Sequence, residues 1–461
     1  MAGEIARKAI EKKRDFFEAL ARDIWAHPET AFHEVETARL AAEAARTLGF
    51  EVTKGAFGVP TAVMAKWGNG SPVIGFLGEL DALPELSQAV STKKEAVIPG
   101  GPGHGCGHNL LCTATLAGAY GFKEALKASG SSGTVVWFGC PGEEALTGKG
   151  FMARGGAFRD LDLAFSWHGG SANHVPCGRD TGVYSARFHF KGVSSHAGAA
   201  PERGRSALDA VELMNIGANY LREHVPSDVR IHYIITEGGK APNTVPDKAS
   251  SWYYVRALSL ETVDEVYQRL CRVAQGAAMM TDTKVEIQFV GGCHETLPNM
   301  TVAQLLYEAL KAVDAPVWSE EELRFAETLN EQSPSYREAK VQGKPEMPIA
   351  TGILPLTPQN GYGSTDVAEV MHIVPCAELD TATANRLAGG HNWQVTACAG
   401  HSIGFKGMLY GAKALATAAV MAAEDPAIVQ KAQEEFREAT KGKPYVCPIP
   451  DGISVPDPAE R

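Results

Sequence analysis

No run of eighteen uninterrupted apolar residues occurs in this 461-residue chain, which argues against a membrane-spanning helix. No Lys/Arg cluster stands out either, and the 43 basic side chains are outnumbered by 54 acidic ones, for a formal net charge of −11. A surface built for nucleic acid or anionic lipid is therefore not expected, and small-molecule chemistry is the better expectation. The segment from Met1 to Phe17 is studded with Lys and Arg and lacks the apolar stretch of an export signal, so the reading is a cytoplasmic protein. The nine cysteines show no repeated spacing, which speaks for reduced thiols and against a disulfide framework. Internal repeats and low-complexity tracts are missing too. What remains is a long chain with 44% hydrophobic residues, enough to bury a sizeable core in two domains.

Helical periodicity covers Ile5–Trp25 and Glu34–Leu48. Short β-rich apolar runs follow at Thr61–Lys66, Pro72–Leu77, Thr134–Gly139 and Leu161–Trp167, alternating with helical text such as Leu110–Lys127. That alternation predicts an α/β domain with a largely parallel sheet. From about Tyr184 the order becomes strand, helix, strand, strand, helix, strand, through Ser185–Lys191, Ala207–Glu223, Ile231–Thr236, Ser250–Ala257, Leu260–Met279 and Lys284–Val290. This suits a ferredoxin-like α+β domain inserted in the larger one. The expected division is 1–183 and 298–461 for the catalytic domain and 184–297 for the insert. Helical text resumes at Thr301–Val313, loops and short helices are expected from Glu320 to Pro358, and Ser402–Ala423 reads as the last regular element.

Chemistry-bearing residues fall where the strands end: Glu79-Leu80-Asp81, His104-Gly105-Cys106-Gly107-His108, Pro141-Gly142-Glu143-Glu144 and Trp167-His168. A thiolate and an imidazole two residues apart reach one pocket from a glycine-freed loop, and later carboxylates and imidazoles complete a two-metal set. Adjacent glutamates suit two tasks, one binding metal and the other handling the proton of the attacking water. A helix starting near Asn109 turns its positive end toward Cys106 and favours the thiolate. By itself Cys-x-His is a weak signal, equally served by a buried thiol and a hydrogen-bonded histidine, and the convergence of strand ends makes the metal reading stronger. A redox or thiol enzyme with Cys106 as nucleophile lacks an evident resolving cysteine.

With Gly-His-Gly-Cys-Gly-His-Asn-Leu-Leu at 103–111, Gly-Cys-Pro-Gly-Glu-Glu at 139–144, Gly-Arg-Ser-Ala-Leu-Asp-Ala-Val at 204–211 and His-Asn-Trp-Gln at 391–394, the chain resembles the M20 metallopeptidases and amidohydrolases. The likeness is to their aminoacylase-like branch, and within it to members that cleave p-aminobenzoyl-glutamate. It implies metal ligation by Cys106, His108, Glu144, His168 and His391, with Glu143 as general base. Spacing alone leaves His391 and His401 open as the last ligand, and the family pattern favours His391. Asp81 matches a supporting carboxylate behind a ligand imidazole, with a strand-end cap as the plainer alternative. Asn109 departs from the aspartate found in most of the branch.

In the insert, Ser195-His196-Ala197-Gly198 resembles a lid motif whose histidine stabilises the oxyanion, while Asn243 and Arg256 match positions that bind the substrate carboxylate or carbonyl. The resemblance further implies two divalent ions, manganese or zinc, with cobalt or nickel admitted by the same mixed donors. It implies an N-acyl amino acid substrate, and pairing through the lid with a second copy or with a related A subunit. Aminoacylase, dipeptidase or auxin-conjugate hydrolysis shares the mechanism, and a non-catalytic protein that binds the conjugate is the rival from another class.

Overall fold

The computed structural model describes residues 2–343 and 347–459. In chain order the first elements are α1 (Ala2–Lys12), α2 (Arg14–Ala26), α3 (Val35–Thr47), β1 (Glu51–Lys54), β2 (Val63–Asn69), β3 (Val73–Glu79), α4 (His108–Ser129), β4 (Gly133–Cys140), α5 (Gly148–Arg154) and β5 (Leu163–Gly170). Then come β6 (Gly182–Lys191), α6 (Ala207–Leu221), β7 (Arg230–Glu237), β8 (Lys248–Ala257), α7 (Leu260–Met280) and β9 (Lys284–Cys293). The chain closes with α8 (Met300–Lys311), α9 (Glu320–Asn330), α10 (Pro334–Val341), α11 (Val367–Met371), β10 (Cys376–Ala382), α12 (Trp393–Ala399), α13 (Ser402–Glu424) and α14 (Pro426–Thr440). These elements form two compact units, the smaller made of Arg179–Thr296 with Asn360–Ala368 and the larger of the rest.

The larger unit carries a six-stranded sheet ordered β1-β2-β4-β3-β5-β10. Strands β4, β3, β5 and β10 run parallel, with β10 at one edge, and β2 and β1 extend the sheet antiparallel on the other side. All eight residues of β4 are buried, the near-continuous apolar reading of a parallel strand covered on both faces. Helices α4 and α13 supply much of that cover, with α1 against both. Small residues let them approach: a Cβ on Gly411 would lie 1.9 Å from Trp167 Nε1. Phe17, Phe76, Phe122, Trp137, Phe165 and Trp167 fill the core, and the two buried indoles donate to Thr115 and Thr381 hydroxyls, both at 2.9 Å.

The smaller unit has the strand order β7-β8-β6-β9, antiparallel throughout. Helices α6 and α7 pack on the sheet, around a core that includes Phe188, Met214, Tyr253 and Leu270. This is the expected ferredoxin-like arrangement.

Two local expectations are corrected, and one strand was not anticipated. The first helix is two, broken at Lys13, so that Ala6 and Ile10 on α1 and Phe17, Leu20, Ala21 and Ile24 on α2 all reach the core. Strand β10 pairs in parallel with β5, although Glu378 and Asp380 interrupt its apolar text. Helix α14 follows α13, started by the Asp425 side chain accepting from Ala427 N at 3.1 Å with proline at the next position; this Asp-Pro signal was present in the sequence.

Candidate metal centre

Four loops of the larger unit converge beyond the carboxyl ends of β3, β4 and β5, where ligands of parallel sheets collect. Gly107 adopts φ +79°, a left-handed conformation that favours glycine. It lets the chain turn from Cys106 directly into α4, which begins at His108. Gly142, at φ +67°, plays the same part before Glu143, and a Cβ there would meet the Phe32 ring at 2.6 Å. His391 arrives from the loop before α12, itself at φ +57°, and its N–H donates to Gly105 O at 3.1 Å, tying the last candidate to the loop of the first.

The structure brings Cys106, His108, Glu143, Glu144, His168 and His391 into one cluster. Donor atoms of Cys106, His108 and His168 lie within 4.8 Å of one another, as do those of Cys106, Glu144 and His391, and those of Glu79, His108 and Glu143. Cys106 Sγ is 3.2 Å from His168 Nε2, and His391 Nε2 is 3.5 Å from Glu144 Oε2. Two donors on one ion with bonds of about 2.1 Å stand about 3.0–3.4 Å apart, so these spacings suit shared cations. Among the described residues, the buried His108 Nε2 and Glu144 Oε1 make no well-directed hydrogen bond. Orphaned buried polar atoms facing further donors are what a metal site requires, and the residues fit a pair of divalent ions.

Supporting contacts fix the donors. His108 Nδ1 lies 2.9 Å from Asp81 O and 3.2 Å from Asp81 Oδ1. A carbonyl only accepts, so Nδ1 carries the hydrogen and a neutral ring leaves Nε2 bare. Asp81, fully buried, also accepts Glu144 N through Oδ2 at 2.8 Å. His168 Nδ1 donates to Gly169 O at 2.8 Å, leaving its Nε2 toward Cys106. Burial pushes the Cys106 thiol up, but the His168 and His108 imidazoles outweigh it and hold the thiol well below its usual value. Burial pushes both imidazoles down, and the Cys106 charge reverses this so that each lies well above its usual value. Burial and the Cys106 charge push Glu144 up to about 8.

Sequence reasoning gave no role of their own to Glu34, Glu79 and Lys149, three buried charged residues. Glu34, 0% exposed, accepts Phe32 N at 2.8 Å and Gly142 N at 2.9 Å through Oε1, and the Thr61 hydroxyl at 3.1 Å through Oε2. Glu79 receives Lys149 Nζ at 2.7 Å, and both are buried. Their sequence contexts, a helix start, a strand end and a lysine between two glycines, carry no signal of enclosure. Asn109 donates through Nδ2 to Ala21 O and Ala399 O, both at 3.1 Å. Its departure from aspartate therefore joins the helix to two backbone carbonyls that only a donor can serve. His401 caps α13 and stacks on Phe325 at 4.3 Å.

The other candidates lie in the smaller unit. His196 and Asn243 are exposed on paired loops, where Ala197 N donates to Asn243 O at 3.0 Å. His196 Nδ1 accepts Gly198 N at 3.2 Å and Ala199 N at 3.0 Å, so the neutral ring carries its hydrogen on Nε2. Arg256 on β8 donates to Ser364 Oγ at 2.8 Å and lies over the Tyr254 ring.

Comparison with known proteins places this geometry. The chain is 39% identical to the B subunit of p-aminobenzoyl-glutamate hydrolase from Escherichia coli over 97% of each chain. The chain belongs to the M20 family. It is a metal-dependent hydrolase acting on amide bonds. Mouse Xaa-Arg dipeptidase is 28% identical over 94% of this chain and 91% of its own, and residues 180–278 match the family described as Peptidase dimerisation domain. The fold is shared with an aminobenzoyl-glutamate utilization protein from Klebsiella pneumoniae, at 19% identity and TM-score 0.61 over 90% of this chain and 97% of that one. It is likewise shared with a dinuclear metal binding M20 peptidase of Bacillus subtilis, at 18% and 0.58 over 90% and 99%. No helix among the described residues is long and apolar enough to cross a membrane.

Proposed function

We propose that this enzyme hydrolyses the amide bond of an N-acyl amino acid, foremost p-aminobenzoyl-glutamate, releasing p-aminobenzoate and glutamate. The observation that carries this reading is one cluster of thiol, imidazoles and paired glutamates in a chain so similar to an enzyme named for that substrate. Cys106, His108, Glu144, His168 and His391 hold two divalent ions, manganese or zinc. Ions bound there supply an acidified water and a polarised scissile carbonyl. Glu143 takes the proton of the attacking water and delivers it to the leaving amine. Asp81 keeps His108 in the tautomer that offers Nε2 to a cation. His196 donates from Nε2 to the developing oxyanion, while Arg256 and Asn243 recognise the substrate's carboxylate and carbonyl. The smaller unit, residues 184–297 in the sequence division, pairs with a second copy or a related A subunit. The reaction is cytoplasmic, in keeping with nine cysteines of which none forms a disulfide.

Amine release from p-aminobenzoyl-glutamate by manganese- or zinc-loaded protein tests this, with Glu143→Ala as control and a panel of N-acyl amino acids and dipeptides alongside. Preferential cleavage of the glutamate conjugate, abolished in the control, is expected. Cleavage confined to other panel members would discard the substrate and keep the mechanism.

A further inference from the structure

Glu79 and Lys149 have no part in the ligand set named above, yet both sit at its edge. Glu79 is 2% and Lys149 0% exposed. A lysine ammonium is buried this fully only when its charge is met, and Nζ lies 2.7 Å from Glu79 Oε1. The other carboxylate oxygen, Oε2, is turned to the site and stands 3.1 Å from His108 Nε2. That apposition needs an explanation. His108 spends its ring hydrogen on Asp81 O, so in the neutral ring a bare nitrogen and a carboxylate oxygen confront each other at contact distance. A proton on Nε2 would make an ion pair, but the ring is not aimed for one: the contact lacks the direction of a hydrogen bond. Two donors set side by side, rather than end to end, at 3.1 Å have the separation of neighbouring ligands on one ion, about 3.0–3.4 Å for bonds of about 2.1 Å. Glu143 belongs to the same group of donor atoms.

We infer that Glu79 is an additional protein ligand, sharing with His108 one of the two ions, and that Lys149 is its positioning residue, fixing one carboxylate oxygen so that the other faces the cation. The inference rests on the dinuclear reading and extends it. Lys149 also adds a positive charge beneath a site crowded with Cys106, Glu79, Asp81, Glu143 and Glu144, limiting mutual repulsion among the carboxylates. A glutamate at the end of β3 and a lysine in the first turn of α5 thereby act as one unit, although 70 residues separate them in sequence.

Metal stoichiometry and affinity test this directly. The unaltered protein, Glu79→Gln and Lys149→Met are stripped, reloaded with manganese or zinc, and titrated against a chromogenic chelator, with far-ultraviolet circular dichroism to verify folding. The unaltered protein should bind two ions, and each variant should hold one of them at least about tenfold more weakly, as losses of ligand-orienting partners do. Less than about a tenfold change in both folded variants would overturn the inference. Fewer than two ions on the unaltered protein would instead overturn the dinuclear reading beneath it. Should the variants fail to fold, a crystal structure of the metal-loaded unaltered protein decides. Glu79 Oε2 at about 2.0–2.2 Å from an ion supports the assignment, and an oxygen outside the coordination sphere of both ions removes it.

Discussion

Glu34 offers the sharpest test of how the site is held. It is a carboxyl with no exposed surface, serving two backbone N–H groups and one hydroxyl. Burial, and then the Asp81 charge, push it up to about 8 from its usual 4.5. A folded-state pKa raised above the unfolded one means the folded chain binds the proton more tightly. The stability this contributes is full below pH 4.5 and is lost as pH rises through 8. The difference of about 3.5 units corresponds to on the order of 5 kcal/mol at about 1.4 kcal/mol per unit. Glu34→Gln removes the titration and keeps the shape: its amide oxygen accepts Phe32 N and Gly142 N, and its NH2 donates to Thr61 Oγ1. Urea unfolding of chelator-stripped protein at pH 5, 7 and 9 measures the contrast. The stability of Glu34→Gln relative to the unaltered protein should rise steadily toward pH 9, by several kcal/mol on this reckoning. Parallel profiles would refute the reasoning. Glu34→Ala instead leaves two buried N–H groups without their acceptor, at about 1–3 kcal/mol each, and should be destabilised at every pH.

Asn109→Asp replaces a donor to two buried carbonyls with an acceptor and should destabilise the fold by about 2–4 kcal/mol; an unchanged melting temperature would contradict the assigned contacts. His196→Ala should lower kcat by about 10²–10³-fold while metal content, measured by mass spectrometry, stays at the unaltered value, and parallel loss of both would remove its oxyanion role. Stripping with a chelator should abolish amide hydrolysis and added manganese or zinc should restore it; full activity after verified metal removal would exclude the proposed chemistry.

The legible part of this molecule is the part written in short-range pattern. Strand ends at or near Glu79, Cys140 and Gly170 follow from brief apolar runs, and a parallel sheet brings strand ends together, so Cys106, His108, Glu143, Glu144 and His168 could be grouped before any coordinates. The β-α-β-β-α-β order of the smaller unit was readable for the same reason. Enclosure was not. Lys149 sits between two glycines and Glu34 at a helix start, contexts that equally describe solvated side chains, and only tertiary packing shows that no water reaches either. Strand β10 escaped because Glu378 and Asp380 interrupt its apolar text. The return of Asn360–Ala368 to the smaller unit, where Ser364 receives Arg256, depends on a contact 108 residues long in sequence that no local pattern encodes.

Glu34 and Asp81 explain how a loop can carry the proposed general base. Glu143 follows a glycine in the left-handed region and lies in a turn, and a turn by itself leaves a carboxylate several ångströms of freedom. Here the flanking N–H groups are both held by buried carboxyls: Gly142 N by Glu34 on one side and Glu144 N by Asp81 on the other. Asp81 simultaneously fixes the His108 ring, so the base and one candidate ligand are positioned against the same side chain. A displacement of about 1 Å at a reacting group is worth about a hundredfold in rate. Holding the backbone on both sides of Glu143 is therefore as much a requirement of the proposed chemistry as the carboxylate itself, and the buried acids that do so are positioning residues of the proposed mechanism although neither need touch the substrate.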